Sequence, residues 1–132
     1  KTITCMKQDP FSQNTLYIGT MSGLFVSYDN GRTFSNILNE YQDKIGSISD
    51  IIVDPIKKGT LYFTSGTQFY MTNNDGIKWT KQTSKNNKFI FTCLFSDVID
   101  SGIIYAGTKN NGVIYSKNTG KNWYISDNNV NK

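Results

Sequence analysis

The sequence predicts an all-β chain made of three like units, each of four short strands. Three observations predict it. Aromatic and β-branched residues dominate the apolar set, with eight Tyr, eight Phe and two Trp, while alanine occurs only at Ala106. Such residues suit a half-buried pleated surface better than a helix. Landmarks also recur along nearly the whole chain: Asp9, Asp54 and Asp97 are spaced by 45 and 43 residues, and Tyr17, Tyr62 and Tyr105 keep the same spacings. Finally, an octet of the form Ser/Thr-x-Asp/Asn-x-Gly-x-x-Phe/Trp occurs three times, as SYDNGRTF at 27–34, TNNDGIKW at 72–79 and SKNTGKNW at 116–123. No stretch shows helical periodicity.

The elements of each unit follow in order. The first strand is apolar and reads ITCM, DIIV or TCLF. An Asp-Pro turn closes it in two copies, Asp9-Pro10 and Asp54-Pro55, with Asp97-Val98 in the third. Proline presets such a turn and Asp bonds the backbone beyond it. The second strand is TLYIG, TLYFT or IIYAG, and a short Gly-containing loop leads to the third, GLFVS, QFYMT or GVIYS. The third copy carries one extra residue, in TKNNG. The octet then makes the hairpin turn to a fourth strand that begins at its aromatic. In that turn Gly takes positive φ without steric cost. The Asp or Asn oxygen accepts backbone N–H groups, the Ser or Thr hydroxyl adds a local bond, and the aromatic is expected to fold back over the hairpin. Every position shapes the turn, so none is needed for catalysis. Four strands in units of about 40 to 50 residues describe a β-propeller blade. The expected blades are 1–45, 46–88 and 89–132 of one incomplete ring.

The octet resembles the Asp-box, or BNR repeat. The matches are Ser27, Asp29, Gly31 and Phe34; Thr72, Asn74, Gly76 and Trp79; and Ser116, Asn118, Gly120 and Trp123. Two copies have Asn for Asp, which keeps the acceptor and drops the charge. Three boxes in register at blade spacing are a strong signal. The chain is thus similar to the propellers of sialidases, xyloglucan-cleaving glycosidases, sortilin-type receptors and photosystem II assembly factors. The resemblance implies a box at the periphery, away from the central pocket, and a secreted or cell-envelope protein.

Net charge is +4 and the only Arg is Arg32. The lysines concentrate in the second half, where a basic face would meet a polyanion, but no nucleic-acid recognition motif is present. Two cysteines, Cys5 and Cys93, are too few for a disulfide framework. They hold equivalent places on the inner strands of the first and third units, one blade apart, and are not expected to bond to each other. No run approaches the roughly 20 apolar residues of a membrane span. With no His, Ser-His and Cys-His nucleophile systems and the common zinc sites are absent. No metal or cofactor is expected.

Sialidases clamp a substrate carboxylate with three arginines, and a lone Arg32 inside a box turn does not fit that clamp. A glycosidase needs two carboxylates roughly 5 to 9.5 Å apart. Asp50 is the foremost candidate, because it stands on an innermost strand where the other copies have Cys5 and Cys93. Asp43 and Glu40, in the connection to the second blade, are weaker candidates. This reading makes the chain a fragment of a secreted, xyloglucanase-like Asp-box glycoside hydrolase. No catalytic constellation is complete, so the preferred reading is a non-catalytic binding or assembly module that presents loops to a glycan or protein partner. Its face comprises the loops between second and third strands and the blade connections: Met21 and Ser22, Thr67, Lys109 and Asn110, then Tyr41, Asp43, Lys85 and Asn87. Three blades do not close a ring, since propellers have at least about four. The expected partners are therefore other blades of a longer propeller, favoured because Lys1 is not a natural start, or a second identical chain joined head to tail into a six-blade ring.

Overall fold

The computed structural model describes residues 1–38, 44–97, 99–100 and 102–126. They form three four-stranded antiparallel sheets in sequence order, with no helix among the described residues. The first sheet holds β1 (Ile3–Gln8), β2 (Leu16–Thr20), β3 (Gly23–Ser27) and β4 (Ser35–Asn36). The second holds β5 (Asp50–Val53), β6 (Leu61–Ser65), β7 (Gln68–Thr72) and β8 (Thr80–Lys81). The third holds β9 (Phe91–Ser96), β10 (Ile104–Thr108), β11 (Val113–Ser116) and β12 (Tyr124–Ile125). Each sheet is a simple meander in which every strand pairs with its sequence neighbour. The first strands are innermost: β1 packs against β5, and β5 against β9.

Strand alternation sends successive side chains to opposite sheet faces, and the repeat sends equivalent positions to equivalent faces. Leu24 and Val26 of the first sheet meet Ile51, Leu61 and Phe63 of the second in one apolar core. On the second sheet's other face, Ile52, Tyr62 and Phe69 meet Ile104, Ala106 and Ile114 of the third. The core therefore lies between sheets. Burial pushes the phenols of Tyr17 and Tyr62 up, Tyr62 to about 12 with the Asp54 carboxylate adding to the effect.

The octets share one hydrogen-bond pattern. In the first, Ser27 Oγ accepts from Gly31 N at 2.8 Å and donates to Asp29 Oδ1 at 2.8 Å, and Asp29 Oδ1 accepts from Thr33 N at 2.9 Å. Thr72 and Asn74 repeat it with Gly76 N and Lys78 N, and Ser116 and Asn118 with Gly120 N and Asn122 N. Gly31, Gly76 and Gly120 sit at φ 87°, 85° and 85°. The residue before each glycine is left-handed too: Asn30 at 63°, Asp75 at 59° and Thr119 at 60°.

The aromatic does more than fold back on its own hairpin. Trp79 donates from Nε1 to Ile37 O of the preceding sheet at 3.2 Å, and Trp123 packs on Phe69 of the preceding sheet with ring centroids 5.6 Å apart. Trp123 also keeps a local bond to Gly120 O at 2.9 Å. The physical reason is area: an indole buries far more against a neighbouring sheet than against a two-residue strand.

Candidate binding face

Two kinds of loop gather at one end of the sheets, and backbone bonds between consecutive blades join them. Ile48 N donates to Thr20 O at 2.9 Å, so the entry to β5 is bonded to the end of β2. Phe91 N donates to Gly66 O at 3.0 Å, which ties the start of β9 to the β6–β7 loop. The opposite end carries the Asp-Pro turns and the octets.

The described sequence-predicted loop residues lie at the end of the blade connections, opposite the octets, in three groups. Met21 and Ser22 form the β2–β3 loop; Lys1 Nζ reaches Ser22 Oγ at 3.1 Å and Ser47 Oγ reaches Met21 Sδ at 3.6 Å. Asn87 donates from Nδ2 to Thr67 O at 2.6 Å and to Phe89 O at 3.3 Å, so its amide nitrogen braces the β6–β7 loop. Lys85 is exposed in the turn that ends at Asn87. Lys109 N donates to Ile90 O at 3.0 Å, and Lys109 and Asn110 are exposed at the tip of the β10–β11 loop. Tyr41, Asp43 and Glu40 lie outside the described residues.

Asp50 sits where the inner strands converge and is 8% exposed. Its Oδ1 accepts from Lys7 Nζ of β1 at 2.9 Å and from Ile51 N at 2.8 Å. Its Oδ2 accepts from Leu94 N of β9 at 2.7 Å. One carboxylate thus ties three sheets. Beside it opens a groove of about 210 Å³ whose lining includes Lys7, Val53, Pro55, Phe95 and Ser96. Every other described carboxylate lies in an Asp-Pro turn, in the β9–β10 connection or in an octet at the opposite end, so no second one stands beside Asp50 among the described residues. None of the described residues form a metal-binding cluster.

Lys7 was missed by sequence reasoning, yet a signal for it exists. The position holds Ile52 and Phe95 in the other copies, as the position of Asp50 holds Cys5 and Cys93. The two charged departures from the repeat stand on neighbouring blades and pair with each other. Both cysteines are free. Burial raises the Cys5 thiol above its ordinary pKa, with the Asp50 charge adding to the rise.

Comparison with known proteins follows this geometry. The Sortilin-Vps10 family model, described as sortilin, neurotensin receptor 3, matches residues 22–132. A xyloglucanase of Hypocrea jecorina (strain QM6a) is 32% identical over 124 residues, covering 89% of this chain. The chain spans only 15% of that relative's length. Among solved structures, an ancestral GH74 enzyme superposes with a TM-score of 0.76 at 20% identity, over 92% of this chain and 18% of its own. The GH74 enzyme of Niastella koreensis gives 0.75 at 18% identity, over 93% and 22%. YCF48 bound to D1 peptide gives 0.67 at 16% identity, over 93% and 38%. Likeness at such identities is one of fold, and it makes the three sheets β-propeller blades.

Proposed function

The chain belongs to the Sortilin-Vps10 family, and on that premise we propose that its blades form a non-catalytic binding or assembly module, which presents the Met21, Lys85 and Lys109 loops to a glycan or protein partner. The observation that carries this reading is the state of Asp50. Both of its oxygens are engaged by donors from three strands, it is nearly buried, and no second described carboxylate stands beside it. A general acid or nucleophile needs an oxygen free to meet substrate and a partner across the scissile bond. Asp50 acts instead as a strut. The face it braces carries exposed Met21, Lys85 and Lys109 on loops bonded from blade to blade. The partner of YCF48 in its solved complex is a peptide, which supports a protein ligand on such a scaffold. Further blades, or a second chain, cover the outer blades.

A second reading rests on the Hypocrea jecorina relative, a xyloglucanase. On it the chain is part of a secreted glycoside hydrolase and Asp50 is a reacting carboxylate. Calorimetric titration with xyloglucan oligosaccharides and with peptides, run beside a reducing-end assay, separates the two. Saturable binding weakened by Lys109→Ala or Met21→Ala, with no reducing ends released, supports the module. Release of reducing ends that Asp50→Asn abolishes overturns it.

A further inference from the structure

Where glycine follows asparagine or aspartate, the side chain is open to attack by the main chain, because glycine has no Cβ to keep its nitrogen away. The chain has three such dipeptides: Asn30-Gly31, Asp75-Gly76 and Asn111-Gly112. The first two stand at the same place in the first and second octets, and the octet holds both. Gly31 N donates to Ser27 Oγ at 2.8 Å and Gly76 N to Thr72 Oγ at 3.0 Å. The residue before each is anchored as well: Asn30 N donates to Asn14 O at 3.0 Å and Asp75 N to Gly59 O at 3.0 Å. A nitrogen that donates its proton to a hydroxyl keeps that proton and is held away from the side chain.

The third dipeptide lies in the β10–β11 loop, where TKNNG is one residue longer than TMSG of the first copy. The two turns are otherwise built alike. Thr108 Oγ donates to Gly112 O at 2.7 Å and accepts from Asn111 N at 2.9 Å, as Thr20 Oγ donates to Gly23 O at 2.9 Å and accepts from Ser22 N at 3.0 Å. These bonds use the glycine carbonyl and leave its nitrogen out. Among the described residues, neither Gly112 N nor the Asn111 side-chain amide has a hydrogen-bond partner. Asn111 is half-buried, whereas Asn30 and Asp75 are exposed. Solvent access alone would therefore favour reaction in the octets, and hydrogen bonding favours it in the loop.

We propose that Asn111 is a site of spontaneous deamidation, the one of the three dipeptides that the fold leaves unguarded. Gly112 N loses its proton to hydroxide and bonds to Asn111 Cγ. The Cγ–Nδ2 bond breaks, and Nδ2 takes a proton from water and leaves as ammonia. A further water opens the five-membered imide at either carbonyl, which gives aspartate or isoaspartate. In sum one water is consumed and one ammonia released, with no oxidant or reductant. The product places a carboxylate two residues from exposed Lys109 on the loop face, and isoaspartate adds a methylene to the main chain between Thr108 and Gly112. The chemistry does not depend on what that face binds. The octet hydroxyls of Ser27 and Thr72 gain a second role, as guards of the dipeptide beside them.

The test is a peptide map by mass spectrometry of the folded chain held in mildly alkaline buffer, with isoaspartate read by fragmentation. The peptide that holds Asn111 is expected to gain one dalton, faster at higher pH, and to contain both isomers. The peptide that holds Asn30 is expected to react about tenfold more slowly or less, the factor that breaking one or two hydrogen bonds implies. In concentrated urea the two asparagines are expected to react at similar rates, since the fold then guards neither. Ser27→Ala is expected to bring Asn30 of the folded chain toward the rate of Asn111, while Ser27→Thr, the hydroxyl of the second octet, keeps it slow. Where Ser27→Ala loses its native far-ultraviolet spectrum, the ratio of folded to unfolded rates at each asparagine of the native chain decides. Equal rates at Asn30 and Asn111 in the folded chain, or an Asn111 that reacts only in urea, overturn the proposal. The map reads no ligand, so its failure leaves the binding reading standing, and a failed titration of the loop face leaves this one.

Discussion

Asp29 differs from Asn74 and Asn118 by one charge, and that charge has a measurable consequence. Bonds from the Thr33 hydroxyl and backbone N–H, followed by the Ser27 hydroxyl, hold its carboxyl below the ordinary 3.8, at about 2. A folded pKa below the unfolded one means stability that is present above about pH 4 and lost as pH falls through about 2. Asp29→Asn keeps the acceptor for Thr33 N but does not titrate. The native chain is expected to melt above the variant at about pH 5, with the gap closing by about pH 2; a gap independent of pH would contradict the assignment. Thr119 supplies a second test. It is β-branched and sits at φ 60°, where its equivalents are Asn30 and Asp75. Thr119→Asn is expected to raise stability by about 0.5–1 kcal/mol in denaturant unfolding. The acceptor role of Asp and Asn in the octet was legible in the residues themselves. The second left-handed residue was not, because Asn, Asp and Thr share no single signature for that conformation.

At the scale of the element, the strands were legible and the use of the turns only partly so. The recurrence of Tyr17, Tyr62 and Tyr105 at repeat spacing, within TLYIG, TLYFT and IIYAG, placed the second strands in each copy. The fourth strands begin one residue after the octet aromatic rather than at it, at Ser35, Thr80 and Tyr124. What the pattern of one unit does not contain is its neighbour. A Cβ on Gly120 would lie 2.4 Å from the Phe69 ring of the preceding blade, whereas one on Gly66 meets nothing within 4 Å. Both glycines have positive φ, at 85° and 58°. Gly120→Ala is therefore expected to cost about 2–5 kcal/mol, from backbone strain together with overpacking. Gly66→Ala should cost about 1 kcal/mol, from the backbone alone. Equal losses in urea titrations would show that the octet glycine serves only its own turn. The same logic explains why Asp50 was legible as an odd residue but its role was not: its partners, Lys7 and Leu94 N, belong to the two flanking blades.

For the molecule as a whole, sheets joined only to sequence neighbours form a one-dimensional stack, and stability in such a stack is nearly a sum of unit and nearest-neighbour contributions. The second sheet is the one covered on both faces, by the cores that hold Phe63 on one side and Phe69 on the other. The outer sheets each have one. In solvent exchange this asymmetry becomes a gradient of lifetimes. Counting only the junctions within these three sheets, opening the first or third breaks one, while opening β6 and β7 breaks two. Amide protons of Leu61–Ser65 and Gln68–Thr72 are expected to exchange slowest, and those of the first and third sheets sooner, with protection spread over several kcal/mol of local opening energy, of order 2–5. A uniform exchange rate across all three sheets would mean that the stack opens as one cooperative body. Otherwise the first and third sheets are the shorter-lived of these three, and the strut at Asp50 sits where the three sheets last longest.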